Sequence, residues 1–375
     1  KRSYLFNLDK YNLRMYSFRL LLYVTALSVI GVLVINSAAD GFARKQAMGL
    51  ALALAVAAVL SLVDYNFIAK QAPLLYVFNI LLLMAVRVFG VSINGARRWF
   101  SLGPFGTLQP SEFSKVLMIV IFAWLINSRR DKMDRPFEVL KIALFYAVPT
   151  GLVLIEPDLS TTLVLLFVFC VLMFVGGLSY RIIGILAIIL VPLGIFLLWY
   201  VQQPGQILLA DYQLERVLSF LNPSEYLLTT YNQQYNSIMA IGSGLLTGKG
   251  LNNNTITSVK GGNFISEPQT DFIFAIVGEE LGFIGGCIVI GLILLIVIEC
   301  INIARNAHDM TGRLIAGSVS AMLAFQSFIN IGVATGIIPN TGIPLPFVSY
   351  GLSSLTSSFI CIGLVLNVGL QRNRR

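Results

Sequence analysis

Histidine and charged side chains are scarce in this chain of 375 residues. Only one histidine occurs, His308, and Asp, Glu, Lys and Arg together make up 12% of the sequence. A single histidine excludes a metal centre built from several histidines. Soluble domains contain about 25% charged residues. The low charge therefore argues against a soluble enzyme.

Nucleotide-binding and cysteine motifs are missing as well. The sequence has neither a P-loop nor a G-x-G-x-x-G after a predicted strand, so we expect no nucleotide cofactor. It also has no C-x-x-C and no cluster of His and Cys, which argues against a zinc or redox motif. We interpret the four cysteines, which fall in or at the ends of apolar runs, as small buried hydrophobic residues. They are Cys170, Cys287, Cys300 and Cys361.

Apolar runs of membrane-spanning length fill most of the chain. Hydrophobic residues make up 57% of the sequence, and a run of about 20 such residues suffices to cross a bilayer as a helix. We predict an all-α polytopic membrane protein with about ten transmembrane helices, forming a single integral membrane domain over residues 1–375. The predicted spans are 20–38, 48–63, 72–89, 112–126, 137–155, 159–175, 182–201, 271–298, 314–338 and 352–370.

Basic residues predict the orientation of these spans. The net charge is +8, which we attribute to the enrichment of Lys and Arg in cytoplasmic loops rather than to nucleic-acid binding. The cluster 129–135 and the C-terminal arginines Arg372, Arg374 and Arg375 predict that both termini are cytoplasmic. Four unusual segments then face outward, including a large extracellular loop between helices 7 and 8. They are 90–111, 156–158, 202–270 and 339–350.

Three of these outward segments end in a proline and an acid where a helix begins. They are Gln109–Glu112, Glu156–Asp158 and Glu267–Asp271. One interpretation is structural, because proline suits a first helical turn and the helix dipole favours an acid there. The other is functional, because three such motifs share one face. Asp271 stands where a long polar segment becomes apolar, which makes it the leading candidate.

The segment 94–100 places two guanidinium groups and an indole on the same face. Arg97 and Arg98 match phosphate oxygens, and Trp99 can stack on a sugar ring. An aromatic membrane anchor with two arginines is the simpler alternative. Lys115 lies three residues after Glu112, so the two can pair within one helix turn. A lysine inside a membrane is costly unless it is paired, which makes Lys115 a functional candidate.

The long outward segment contains elements of its own. Residues 212–221 predict an amphipathic helix at the membrane interface, and 232–246 predict a re-entrant or surface helix. Lys249 and Lys260 lie beside glycines, a combination that can hold phosphates. Ser349 lies in a proline-rich loop whose irregular backbone fits the lining of a cavity. Glu279 and Glu280 are predicted to be structural partners of buried basic residues.

Together these motifs resemble the SEDS (shape, elongation, division and sporulation) family over nearly the whole chain. The matching segments, in family order, are Asn94-Gly-Ala-Arg-Arg-Trp99, Gln109-Pro-Ser-Glu-Phe-Ser-Lys115, Glu156-Pro-Asp-Leu159, Arg216 to Pro223, Ser237 to Gly250, Thr270-Asp-Phe-Ile-Phe274 with Glu279-Glu-Leu-Gly282, and Pro344-Leu-Pro-Phe-Val-Ser-Tyr-Gly351. The motif set resembles the elongation-type members more than the division-type members. One departure is Gln269, where histidine is common in the family.

The resemblance implies a peptidoglycan glycosyltransferase of the bacterial cytoplasmic membrane. Such an enzyme polymerises lipid II onto a glycan linked to undecaprenyl pyrophosphate, pairs with a class B penicillin-binding protein and is supported by Mg²⁺ or Mn²⁺. Asp271 would be the essential carboxylate, acting either as a general base or as a ligand of the cation. The predicted substrate-binding residues are Glu267, Arg97, Arg98, Trp99, Lys115, Glu112, Asp158, Ser349 and Lys249.

Three other functions remain open on the sequence alone. A flippase or transporter of the lipid-linked precursor also has many spans, proline-broken helices and intramembrane charges. A scaffold for the penicillin-binding protein needs no catalytic residue. The division or sporulation member of the same family would catalyse the same reaction in another process.

Overall fold

A computed structural model describes residues 11–371 apart from gaps at 12–14, 40, 94–95, 102, 104–105, 204–205, 207–210, 228, 230, 253–257, 259–261 and 263. Several residues singled out in the sequence lie outside the described residues. They are Asn94, Gly95, Lys260, Arg372, Arg374 and Arg375.

Thirteen α-helices are present in the described part of the chain. They are α1 Phe18–Ala38, α2 Phe42–Ser61, α3 Tyr65–Lys70, α4 Ala72–Phe89, α5 Pro110–Ser128, α6 Pro136–Ile155, α7 Leu159–Val175, α8 Tyr180–Val201, α9 Asp211–Leu221, α10 Asn232–Ser243, α11 Ile273–Arg305, α12 Met310–Ala334 and α13 Leu352–Leu370. Nine of these are long and apolar enough to cross a membrane, and α7 is a shorter apolar helix. Together they correspond to the ten predicted spans, so the polytopic helical fold is confirmed.

The segment between α4 and α5 forms a small antiparallel sheet that was not predicted from the sequence. Its strands are β1 Val91–Ile93, β2 Ala96–Ser101 and β3 Thr107–Leu108, in the order β1-β2-β3. The register pairs Ser92 with Arg97 and Phe100 with Leu108. The sheet therefore carries the two arginines and the tryptophan of the predicted phosphate-binding motif on one strand.

The centre of the bundle is formed by α5, α12 and α13, whose side chains are mostly buried. Helix α8 contributes almost nothing to this core, and its apolar residues, such as Ile188 and Trp199, are exposed. In a membrane such residues meet lipid, because hydrocarbon is as favourable an environment for them as a protein core.

The cysteines follow the same division between core and periphery. All four are free thiols, with Cys300 and Cys361 buried and Cys170 and Cys287 exposed. The prediction that all four are buried is therefore wrong for the latter pair. A small apolar side chain on a membrane helix can face lipid as readily as the core, so hydrophobicity alone does not predict its burial.

Helix α11 breaks at Gly282, whose φ of 66° and ψ of −165° are not helical. The break leaves backbone groups of α11 without partners inside the helix, and the segment just after α10 forms hydrogen bonds with them. Phe283 N–H donates to the Leu245 carbonyl at 2.9 Å, and Lys249 N–H donates to the Glu279 carbonyl at 2.9 Å. The long segment between α8 and α11 is thereby fastened to the helix that follows Asp271.

Helices α9 and α10 confirm the two helices predicted in that long segment. Helix α10 packs on α11 and α12. Its Gln234 Nε2 donates to the Val333 carbonyl at 2.9 Å and to the Ile338 carbonyl at 2.7 Å, while Ser237 Oγ donates to the Ala334 carbonyl at 2.8 Å. The bonds to Val333 and Ala334 satisfy carbonyls at the C-terminal end of α12, where an α-helix has no partners of its own.

Candidate active site at one end of the bundle

Asp271 lies in the turn that leads into α11, and its side chain does not cap the helix. The cap residue is Phe272, and no side chain accepts a hydrogen bond from the first turn. The Asp271 main-chain carbonyl accepts a hydrogen bond from Asn330 Nδ2 at 2.9 Å, which fixes the turn against α12. The main chain of Asp271 is therefore fixed, while its carboxylate does not cap the helix.

Three polar side chains from distant parts of the chain converge on Gly342. A Cβ at this position would lie 3.4 Å from Asp271 Oδ2, 3.7 Å from Ser160 Oγ and 3.9 Å from Arg216 Nη1. Gly342 has a φ of +72°, which L-residues other than glycine rarely adopt. Glycine at this position thus allows the backbone turn, and its lack of a side chain leaves a space between the three polar groups. The cluster of Asp271, Arg216, Ser160 and Gly342 is called the Asp271 centre below.

Arg216 is a functional candidate that the sequence analysis did not assign. It lies on α9, the amphipathic helix predicted to rest at the interface, and its guanidinium reaches the Asp271 centre. The only sequence signal for Arg216 was its position in the segment Arg216 to Pro223, which matches a family motif. Its proximity to Asp271 was not predictable, because it depends on how α9 folds back over the bundle.

The pKa of Asp271 is raised above its ordinary value. Loss of solvent around the half-buried carboxyl is the largest cause, Arg216 opposes it by favouring the ionised form, and Glu267 adds to it through like charge. A raised pKa makes the ionised Asp271 a stronger base than an exposed aspartate. Glu267 itself is exposed and stands at a φ of +52°.

Ser349 is hydrogen-bonded to the turn before Asp271. Its hydroxyl donates to the Thr270 carbonyl at 2.7 Å and accepts from Leu345 N–H at 2.8 Å. Next to it, Tyr350 N–H donates to the Gln269 carbonyl at 2.8 Å. The buried Ser349 hydroxyl therefore positions the 269–271 segment, and these two bonds occupy it in the structure.

Arg98 and Trp99 lie together on β2, beside the turn between α6 and α7. Arg98 Nη2 donates to the Pro157 carbonyl at 2.6 Å, and its Nη1 lies 3.8 Å from Asp158 Oδ1. The same guanidinium lies over the Trp99 ring, 5.8 Å from its centroid. Arg97, the neighbouring candidate, is exposed on the same strand.

Asp158 is the N-cap of α7, and its carboxylate is almost fully used. Oδ1 accepts from Thr161 N–H at 3.1 Å, as an N-cap side chain does. Oδ2 accepts from Ser111 Oγ at 3.0 Å and from Gln109 Nε2 at 2.9 Å. Asp158 therefore joins the starts of α5 and α7 and holds Arg98 beside them.

The Arg98 cluster and the Asp271 centre adjoin through the first turn of α7. Asp158 caps that turn, and Ser160, two residues later, donates its hydroxyl hydrogen bond to the Thr341 carbonyl next to Gly342. The structure thus brings Arg98, Trp99, Asp158, Asp271 and its neighbour Glu267 to one end of the bundle, as the shared-face argument predicted.

Lys115 and Glu112 form the predicted pair within α5, with Nζ 2.9 Å from Oε1 and both side chains buried. Glu112 Oε2 also accepts from Ser357 Oγ of α13 at 3.1 Å. The pair is thus built into the contact between α5 and α13. It lies one turn below the Asp158 cap rather than at the surface of the site.

Lys249 is engaged away from the Asp271 centre. Its Nζ lies 2.8 Å from Glu279 Oε1, and Glu280 accepts a hydrogen bond from the Ser37 hydroxyl. The predicted structural role is therefore confirmed for Glu279, whose partner is a lysine. No described contact connects Lys249 with Asp271.

Comparisons with known proteins identify the family of this chain. A model of the FtsW/RodA/SpoVE family, described as "Cell cycle protein", matches residues 10–374. The chain is 36% identical to the peptidoglycan glycosyltransferase MrdB of Escherichia coli (strain K12), over 94% of this chain and 93% of MrdB.

Two solved structures show the same architecture. One is a chain from a study of "Structural coordination of polymerization and crosslinking by a peptidoglycan synthase complex", with a TM-score of 0.76, 32% identity and coverage of 94% of this chain and 97% of that one. The other is the rod shape determining protein RodA of Thermus thermophilus, with a TM-score of 0.69, 30% identity and coverage of 96% and 98%. The chain belongs to the FtsW/RodA/SpoVE family of polytopic membrane proteins, the SEDS family that its motifs resemble.

Proposed function

We propose that this chain is a peptidoglycan glycosyltransferase that polymerises lipid II into glycan strands for cell elongation and shape. The observation that carries the proposal is the convergence of Asp271, Arg216 and Ser160 around Gly342, beside the Arg98 cluster. A carboxylate next to guanidinium groups fits a reaction that moves a proton and releases a lipid pyrophosphate. Similarity to MrdB supports the reaction class, and similarity to RodA supports the role in shape.

We propose that the reaction takes place at the outer face of the bacterial cytoplasmic membrane and that both termini are cytoplasmic. The basic loop between α5 and α6, which carries Arg129, Arg130 and Lys132, lies at the end of the bundle opposite Asp271. Loops rich in Lys and Arg face the cytoplasm in membrane proteins. The Asp271 end therefore faces outward, where lipid-linked sugars are polymerised and where no nucleotide is needed.

Asp271 acts as the general base in this proposal. It accepts the proton of the sugar hydroxyl of an incoming lipid II, whose oxygen bonds to the anomeric carbon of the growing chain. The bond from that carbon to undecaprenyl pyrophosphate breaks with inversion, and its electron pair leaves with the pyrophosphate. Arg216 and Arg98 neutralise the charge that develops on the leaving group.

A role for Asp271 as a cation ligand is the alternative within the same reaction. Among the residues that the structure describes, no group of three or more His, Cys, Asp or Glu could hold a metal by itself. Mg²⁺ is often bound by one or two carboxylates completed by substrate phosphates. Asp271, with Glu267 four residues earlier, fits that donor set for Mg²⁺ or Mn²⁺. The cation would supply positive charge to the pyrophosphate.

We also propose a class B penicillin-binding protein as the partner of this chain. Similarity to a chain from a complex in which polymerization and crosslinking are coordinated supports this choice. The polymerase would deliver uncrosslinked strands, so a crosslinking enzyme bound beside it would use them as they form.

The test incubates the purified chain, a class B penicillin-binding protein and lipid II, and analyses the products by gel electrophoresis. A ladder of glycan strands is expected. The same protein, reconstituted in vesicles with labelled lipid II, separates the rival function. Movement of lipid II across the bilayer without any glycan product would establish a transporter and overturn the glycosyltransferase.

A further inference from the structure

Glu156 is a buried carboxyl group that the mechanism above does not use. It follows the last residue of α6, and only 3% of its surface is exposed. Neither of its carboxyl oxygens has a hydrogen-bond partner in the described part of the chain. Buried polar groups are nearly always paired, because an unpaired one loses its hydration without compensation. Such a group at the edge of a functional site requires an explanation.

The guanidinium of Arg98, beside the same turn, also has a buried nitrogen without a hydrogen-bond partner among the described residues. Its Nη2 bonds the Pro157 carbonyl, its Nη1 lies 3.8 Å from Asp158, and its Nε is buried without a partner. A separation of 3.8 Å is too long for a hydrogen bond. The guanidinium therefore has donors to spare, unlike Asp158, whose oxygens are occupied by Thr161, Ser111 and Gln109.

The charged groups that face Glu156 come from three elements. Asp158 stands in the same turn, Arg98 reaches it from β2, and Arg87 reaches it from α4. Burial and, after it, the like charge of Asp158 raise the pKa of Glu156, the two arginines lower it, and the resulting pKa is about 8. Glu156 is therefore mostly neutral at pH 7 and becomes ionised as the pH rises above 8.

We propose that Glu156 is a positioning residue that sets, through Arg98, how tightly the site holds the phosphate groups of the lipid-linked substrate. This inference rests on the proposed glycosyltransferase function. While Glu156 is neutral, the charges of Arg98 and Arg87 face only that of Asp158, so the turn carries a net positive charge. Once Glu156 is ionised, the four charges cancel, and Arg98 has a second carboxylate to bind instead of a phosphate.

The sign of the effect follows from these charges. Rising pH removes one unit of positive charge beside the phosphate site, so substrate binding weakens as Glu156 ionises. A change of one unit charge close to the phosphate groups, partly screened by solvent, corresponds to a change in affinity of roughly fivefold to tenfold. The pyrophosphate of the substrate is fully ionised throughout this range and contributes no titration of its own.

The experiment measures KM for lipid II from pH 6.5 to pH 9 in the full-length protein with its partner. The wild type should show a KM that rises about fivefold to tenfold above pH 8. Glu156→Gln mimics the neutral carboxyl with the same shape, so its KM should stay flat over the range. Glu156→Asp keeps a titrating carboxyl and should keep a pH-dependent KM. Glu225→Gln, a change to an exposed acid of the same outward segment, should behave as the wild type.

Two outcomes would overturn the inference while leaving the glycosyltransferase intact. One is polymerisation with a wild-type KM that does not change between pH 7 and pH 9, which needs no variant to be folded. The other is a Glu156→Gln enzyme whose KM rises with pH as in the wild type. Failure of the wild type to polymerise lipid II at any pH would instead count against the proposed function.

Discussion

Two turns at the active end of this protein share a pattern, an acid followed by a proline and then an aspartate before a helix, yet they use it differently. In the turn Glu156–Asp158 the aspartate caps α7 and is buried among four donors. In the turn Glu267–Asp271 the aspartate caps nothing, and its carboxylate faces Arg216 and Gly342. The same sequence signature thus produces a structural aspartate in one turn and an available one in the other.

The glutamates of the two turns also differ in their surroundings. Glu156 is buried and unpaired beside Arg98, whereas Glu267 is exposed. Each turn therefore carries one carboxyl group that does not cap the following helix and whose pKa is raised. The lesson is that a carboxylate at a helix start is a functional candidate only when the cap does not occupy it.

The largest of three effects that would sharpen this comparison is expected for Gly342→Ala. The new Cβ would lie 3.4 Å from Asp271 Oδ2, inside the space between Asp271 and Arg216, and φ of +72° would be strained. Such strain costs about 1–3 kcal/mol of stability, and because the new methyl group would crowd the Asp271 carboxylate at the reacting position, kcat should fall about tenfold or more. Gly177→Ala is the matched control, since Gly177 also has a positive φ but nothing within 4 Å. An equal loss of kcat in both variants would contradict a specific role for the Gly342 space.

An intermediate effect, on stability, is expected for Asp158→Ala. Loss of an N-cap side chain costs about 1 kcal/mol, and three further donors to Asp158 lose their acceptor. Thermal unfolding in detergent should therefore begin at a lower temperature. Asp271→Ala is the comparison, because Asp271 caps no helix and its removal should leave Tm unchanged. A larger fall in Tm for Asp271→Ala would reverse the roles assigned to the two aspartates.

The smallest effect is expected for Glu267→Gln, in the pH dependence of kcat. Asp271 works as a base only when ionised, so the rate rises with pH through its pKa, which lies above the ordinary value. Removing the like charge of Glu267 lowers that pKa, and the acidic limb of the pH–rate profile should move to lower pH. The shift is small, because Glu267 is exposed and screened by salt. Movement to higher pH would contradict the electrostatic account.

The sequence predicted the membrane fold well, because ten apolar runs of spanning length admit few other structures. It did not predict the sheet of β1, β2 and β3, whose strands are only two to six residues long. Strands this short carry too little periodicity to be recognised.

The site was predicted in part, and the missing part has a physical cause. Asp271 stood out because it marks a boundary between polar and apolar sequence, and Arg98 and Trp99 stood out by residue type. Arg216 was missed because its approach to Asp271 depends on α9 folding over the bundle, a contact between remote segments. Asp158 was assigned to substrate binding, but only the structure shows that Thr161, Ser111 and Gln109 occupy its oxygens.

The most direct test of the central claim is the initial rate of lipid II polymerisation by Asp271→Asn at saturating substrate. The amide has the shape of the carboxyl but can neither accept the hydroxyl proton nor carry a charge. The account predicts a loss of at least about 100-fold, with an unchanged Tm and normal insertion into the membrane. Polymerisation within a few-fold of the wild-type rate would contradict it.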